Sequence, residues 1–156
     1  MEWMEEEAES IAARQQDLRD AHRWELHVSE IVKRDSRLLF ERICKEIVQD
    51  AAKFNRKHGE ADPIYCEQID AEHISVSRRD LYPHVMVELA FDYLAFRVRL
   101  RKRSQDGPDI ERREESTVLR FSVDRQGNIS LPTSDPVGIS HQVLHSVIQA
   151  YKATLH

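Results

Sequence analysis

Glycine and proline are scarce in this chain of 156 residues, with four of the first and five of the second. So few breakers exclude a collagen-like or low-complexity chain and leave long stretches free to form helix. Two cysteines, Cys44 in a helical pattern and Cys66 in a connector, fit neither a disulfide scaffold nor a Cys-x-x-Cys metal site. Reduced thiols are expected. No apolar run approaches the roughly 20 residues that a membrane helix needs. The acidic start Met-Glu-Trp-Met-Glu-Glu-Glu is the reverse of a signal peptide. A cytoplasmic protein without a membrane partner is therefore expected. Also missing are a glycine-rich phosphate loop, a Gly-x-Ser-x-Gly elbow and a His-Glu-x-x-His pair, which removes the commonest sequence signs of phosphate, acyl-transfer and zinc chemistry.

What is present is a clear alternation over residues 84 to 103. Val85, Val87, Leu89 and Phe91 share one face, and Leu94, Phe96, Val98 and Leu100 share another, with Arg97, Arg99 and Arg101 opposite. The apolar parity changes at Asp92-Tyr93. One strand of this length would span about 65 Å, so the pattern predicts a tight hairpin with Asp92 and Tyr93 at its tip and Leu89 facing Phe96. A first strand at 73–79, a fourth ending at Leu119, Phe121 and Val123, and a short fifth from Ile129 to Leu131 complete a five-stranded antiparallel meander.

Helical periodicity brackets this sheet. Residues 29–57 place Val32, Leu39, Phe40, Ile43, Cys44, Ile47, Val48, Ala51 and Phe54 on a wide arc, between Ser29 as a cap and Gly59 as a stop. Asp35-Ser36 is its soft spot, because these side chains compete for backbone hydrogen bonds. Residues 137–155 carry a narrower stripe, with Asp135-Pro136 as the start signal, although Gly138 allows a later start at Ser140, and Leu144, Val147, Ile148, Tyr151 and Leu155 on one face. The predicted fold is α+β, with helices 29–57 and 137–155 packed on one face of the sheet and a further N-terminal helix. Its layout resembles cystatin-like and NTF2-like architectures, with no residue motif in common, and carries no functional implication.

Residues 1–26 form a separate arm in this reading, and residues 27–156 a single domain. The arm has eight acids and three bases, a balance of −5 that equals the net charge of the chain. It has helix formers but only a thin stripe of Met4, Ala8, Ile11, Leu18 and Ala21, with Trp24 to one side. Either a loosely docked arm or a dimerisation helix fits that pattern.

Candidate chemistry is sparse. His141 and His145 stand at i and i+4 on the last helix, but no third ligand is placed by sequence, so solvated histidines are the better reading. The predicted inner sheet face is almost wholly apolar, and only Arg78, Glu115 and Thr117 approach it from strand ends. That argues against an enzyme and against a cofactor. Arg97, Arg99 and Arg101 form a comb on the outer face, with Glu114 expected opposite Arg99. A polar outer face is ordinary for such a sheet, and no aromatics interleave with the arginines, which argues against nucleic acid. Two functions remain. The first is a non-catalytic interaction or scaffold protein, a homodimer or partner-binding module that uses Met4, Ile11, Leu18, Trp24, Arg97, Arg99 and Arg101. The second is a carrier of an apolar small molecule between sheet and helices.

Overall fold

The structure, a computed structural model, describes residues 2–58, 61–131 and 136–153. Its first element, α1, is one α-helix of 57 residues, Glu2–His58. No glycine or proline interrupts it, Glu2 and Glu5 occupy its first turn, and Arg56, Lys57 and His58 its last, which suits the helix dipole at both ends. The two N-terminal helices expected from sequence are thus continuous, and the expected start at Ser29 lies inside α1. Asp35 does not break it either. Its carboxylate accepts from Nε and Nη2 of Arg34, at 2.9 and 3.0 Å, and so does not compete for the backbone.

Burial divides this helix. Ile31, Leu39, Phe40, Ile43, Cys44, Ile47 and Ala51 are buried, whereas every described residue before Val28 is exposed. Val48, expected in the stripe, is exposed too, so the packed arc is narrower than its periodicity suggested.

The main sheet is a five-stranded antiparallel meander in chain order, with β1 (Tyr65–Asp70), β2 (His73–Arg78), β3 (His84–Asp92), β4 (Arg97–Gln105) and β5 (Arg113–Arg120). A second, two-stranded sheet pairs β6 (Ser122–Val123) with β7 (Ile129–Ser130). The expected count of five holds for the main sheet, but its membership differs. β1 lies in the segment 59–71, read from sequence as a connector with at most a short extended piece from Ile64 to Cys66, and a bulge between Gln68 and Asp70 interrupts its alternation. Asn55 of α1 fixes its entry, donating to the Ile64 carbonyl and accepting from the Ile64 N–H, both at 2.8 Å. The 122–130 hairpin leaves the main sheet and lies beneath α1, with Gly127 at φ 85 in its turn.

The β3–β4 register is also displaced. Leu89 faces Leu100 and Phe91 faces Val98, so the pairing is four residues away from Leu89 with Phe96. The cause is the turn. Asp92 Oδ1 accepts the N–H groups of Leu94 and Ala95, each at 3.1 Å, and Phe96 takes φ 49, which makes a four-residue turn in place of a two-residue tip. Leu94, expected inside, is 80% exposed. Because four is even, each β4 residue from Val98 onward keeps its face.

The last element, α2 (Pro136–Ala153), lies on β2 and β3 and packs along α1. Ile139, Val143, Leu144, Val147, Ala150 and Tyr151 are its buried positions, and Ser140 donates to Asp50 of α1 at 2.7 Å. Gly59, Asp135 and Leu155, named above as helix signals, lie outside the described residues. One core joins α1, α2, the sheet and Leu131.

Candidate interaction surfaces

The projecting half of α1 follows from the way helices grow. Starting a helix is costly and extending it is cheap, so a half anchored by burial from Ile31 onward lets a breaker-free sequence continue as helix without contacts of its own. Met4, Ile11, Leu18 and Trp24 are 50, 52, 71 and 41% exposed. Met4, Ile11 and Leu18 recur every seven residues, which keeps them on one slowly drifting row. Trp24 sits nearer the body, bordering a recess with Val123, Asp124 and Arg125 of the small hairpin, and its ring is 5.7 Å from that of His27. Trp3 and Leu26 are also large, apolar and exposed, though the stripe omitted them. Their signal in the sequence was size and hydrophobicity off the stripe, which periodicity discards.

Arg97, Arg99 and Arg101 lie on the outer face of the sheet, away from the helices, because their partners across β3 are Asp92, Ala90 and Glu88. Arg97 is 3.6 Å from Asp92, and Arg101 is 3.2 Å from Glu114. Glu114 stands opposite Arg103, not Arg99 as expected, and lies 3.6 Å from it. Arg99 faces Val118 and makes no ion pair among the described residues. These are exposed or half-exposed pairs of small energetic worth. The two sets of sequence-derived residues therefore occupy two surfaces, one on the arm and one on the sheet.

Inside, one polar centre stands out. Arg78, at the end of β2, is 1% exposed and the largest of the fully buried side chains. Its Nη2 and Nε donate to Asp62 Oδ2 at 2.8 and 3.1 Å, and its Nη1 donates to the carbonyls of Ala150 and Pro83 at 3.0 and 3.4 Å. Its guanidinium also lies over the Tyr151 ring, 4.5 Å from the centroid. This arginine joins the connector, β2, the loop before β3 and α2. It is a structural tie whose donors are engaged on protein acceptors.

Cys44 is buried among apolar neighbours, which pushes its thiol up to about 12, and burial also raises that of Cys66. Neither has the depressed value of a reactive thiol. His141 and His145 are exposed on α2 with ring centroids 5.7 Å apart, and no cluster of three or more potential metal ligands occurs among the described residues. Nor, among those residues, is any helix long and apolar enough to cross a membrane. No protein-family model, no curated protein and no solved structure matches this chain.

Proposed function

We propose that this protein is a non-catalytic interaction module that self-associates through the N-terminal half of α1. The observation that carries this reading is the row Met4, Ile11 and Leu18, exposed on the stretch of α1 before Val28, where every described residue is exposed. An apolar row at seven-residue spacing is suited to another helix. Charge selects the orientation. Glu2, Glu5, Glu6, Glu7 and Glu9 crowd the first turns without a base, so a parallel pair would set these acids against each other. An antiparallel pair centred near Leu18 sets them instead beside Lys33, Arg34 and Arg37 of the second copy, all exposed on α1.

The non-catalytic part rests on the interior. Phe40 stacks on Phe91 at 5.5 Å and Phe91 meets Phe121 at 6.0 Å, so aromatic rings run in series between helix and sheet. That filling also favours a solid core over a carrier of an apolar molecule. In the buried ion pair, the Arg78 donors are taken up by Asp62 Oδ2 and by the carbonyls of Ala150 and Pro83.

The test is the mass of the full chain by light scattering as concentration rises. A dimer is expected, and Ile11→Glu with Leu18→Glu should convert it to a monomer that stays folded, with its far-UV circular dichroism retained. A parent chain that stays monomeric at high concentration would refute self-association.

A further inference from the structure

The outer face of the sheet holds a depression of about 210 Å³ near one end of β2, β3 and β4. It arises from a difference in size within one cross-strand row. Tyr65, Ser77, Met86 and Arg103 are successive partners from β1 to β4, and the small Ser77 leaves a low floor between larger neighbours. In the adjacent row His84 faces Gln105, and Arg79 and Arg112 complete the wall. No carboxylate is among the described residues that line it.

The cations here are held in place. Arg79 donates to Glu67 at 2.7 Å and lies over the Tyr65 ring at 4.0 Å, while the Tyr65 hydroxyl donates to Asp80 at 2.7 Å. Gln105 donates to the Ile110 carbonyl at 3.0 Å and accepts from Nε of Arg112 at 3.4 Å, which seats that arginine against the end of β4. Charges do not balance. Arg79 is answered by Glu67, but Glu114 is shared by Arg101 and Arg103, and Arg112 makes no ion pair among the described residues. Asp80 beside Arg79 and Glu88 opposite Arg101 lower the surplus in the surroundings, but the wall itself holds the guanidinium groups of Arg79, Arg103 and Arg112 and no carboxylate.

We propose that this hollow binds a small organic phosphate monoester. Three guanidinium groups on a wall without a carboxylate suit the roughly −1.5 to −2 charge of such a group at neutral pH. Guanidinium forks and the Ser77 hydroxyl supply donors suited to its oxygens. Size limits the rest of the ligand. The hollow equals about seven water volumes, below the roughly 300 Å³ at which pockets for drug-sized molecules begin, so it takes the phosphate and a few carbons over Met86.

The test is calorimetric titration of the full chain with glycerol 3-phosphate at constant ionic strength, with glycerol as the control. Saturable one-to-one binding is expected for the ester alone. Arg103→Gln and Arg112→Gln should each weaken it about tenfold, as expected for losing a charged hydrogen bond. Arg99→Gln, on the same face but outside the hollow, should leave affinity and melting temperature unchanged. Ser77→Leu should fill the floor and abolish binding. The arginine variants decide the matter alone if Ser77→Leu does not fold. Absence of binding at millimolar ester, or an equal loss in Arg99→Gln, would overturn the proposal. So would tight binding of a single-stranded oligonucleotide that ignores Arg103→Gln and Arg112→Gln, because the face would then be a general polyanion surface.

Discussion

The two halves of α1 have the same secondary structure for different reasons. From Ile31 onward the helix is held by tertiary packing, with Ile43, Ile47 and Ala51 almost wholly removed from water. Before Val28 every described residue is exposed, and the helix persists because it extends one already anchored. The two halves differ in charge, but their apolar content barely separates these cases. What separates them is the width of the apolar face, since only a broad face finds enough surface to bury.

Substituting one residue type in both halves gives the largest contrast. Ile47→Asp should unfold the protein, at a cost on the order of 4 kcal/mol or more, because it leaves a carboxylate without a partner in the core. Ile11→Asp should leave the body folded at ambient temperature, with the far-UV circular dichroism retained and the melting temperature lowered by no more than the loss of self-association costs. If both changes were tolerated alike, the buried half would not be the anchor.

Next in size is a change that tests how the body itself is tied. Arg78→Met should cost about 3–5 kcal/mol in urea denaturation, since it strands Asp62 in the interior without its cation. A loss under about 1 kcal/mol would mean that Asp62 is solvated and the tie is weak. Thiol chemistry reports burial without mutation. Cys44 needs its thiolate to react, and with its thiol pushed up to about 12 it should resist a thiol reagent at pH 8 until urea opens the core. Rapid native labelling at Cys44 would show that this part of α1 separates readily from the sheet.

Much of this was legible in sequence, and the failures share a cause. Strand alternation gave the faces of Ile74, Val76, Val87, Leu89 and Val98 correctly, because parity depends only on the pleat. Register depends on turn chemistry, and the Asp92 side chain chose a four-residue turn through two hydrogen bonds that alternation does not contain. Only the start of β1 was legible, as a possible extended piece at Ile64 to Cys66, because a bulge between Gln68 and Asp70 breaks its alternation. The join at residues 26–29 was misread because a thin stripe beside a broad one looks like a boundary, although no breaker stands there. Among candidate surface residues, sequence found Met4, Ile11, Leu18, Trp24 and the arginine comb. The hollow beside Arg103 was invisible, because it needs Ser77, Met86 and Arg112 from separate strands and a loop.

Smaller effects extend the contrast to the sheet. Replacing Arg97, Arg99 and Arg101 together by Gln should change stability by no more than about 1 kcal/mol, since all lie on an exposed face. A larger loss in thermal or chemical denaturation would mean that the comb is structural. Acid should act least. Hydrogen bonds from the backbone N–H of Ala95 hold the Asp92 carboxyl below its usual 3.8, and those from Asn128 do the same for Asp124. A depressed native value means stability that is complete above 3.8 and is lost as pH falls through the lower native value. Asp92→Asn should therefore flatten the acid limb of a stability profile slightly, while leaving the neutral region lower than in the parent. An unchanged acid limb would show that Asp92 keeps the same proton affinity when unfolded.

The length of α1 fixes distances as well as contacts. At about 1.5 Å per residue, 57 residues make a rod of about 85 Å, of which the exposed part supplies close to half. Anything that grips Met4 is held tens of ångströms along the axis from the packed end near Ala51. A helix of this kind acts as a ruler. Inserting seven residues between Arg19 and Trp24 would move the gripping row about 10 Å outward and turn it by only about 20°, whereas inserting five would turn it by about 140°.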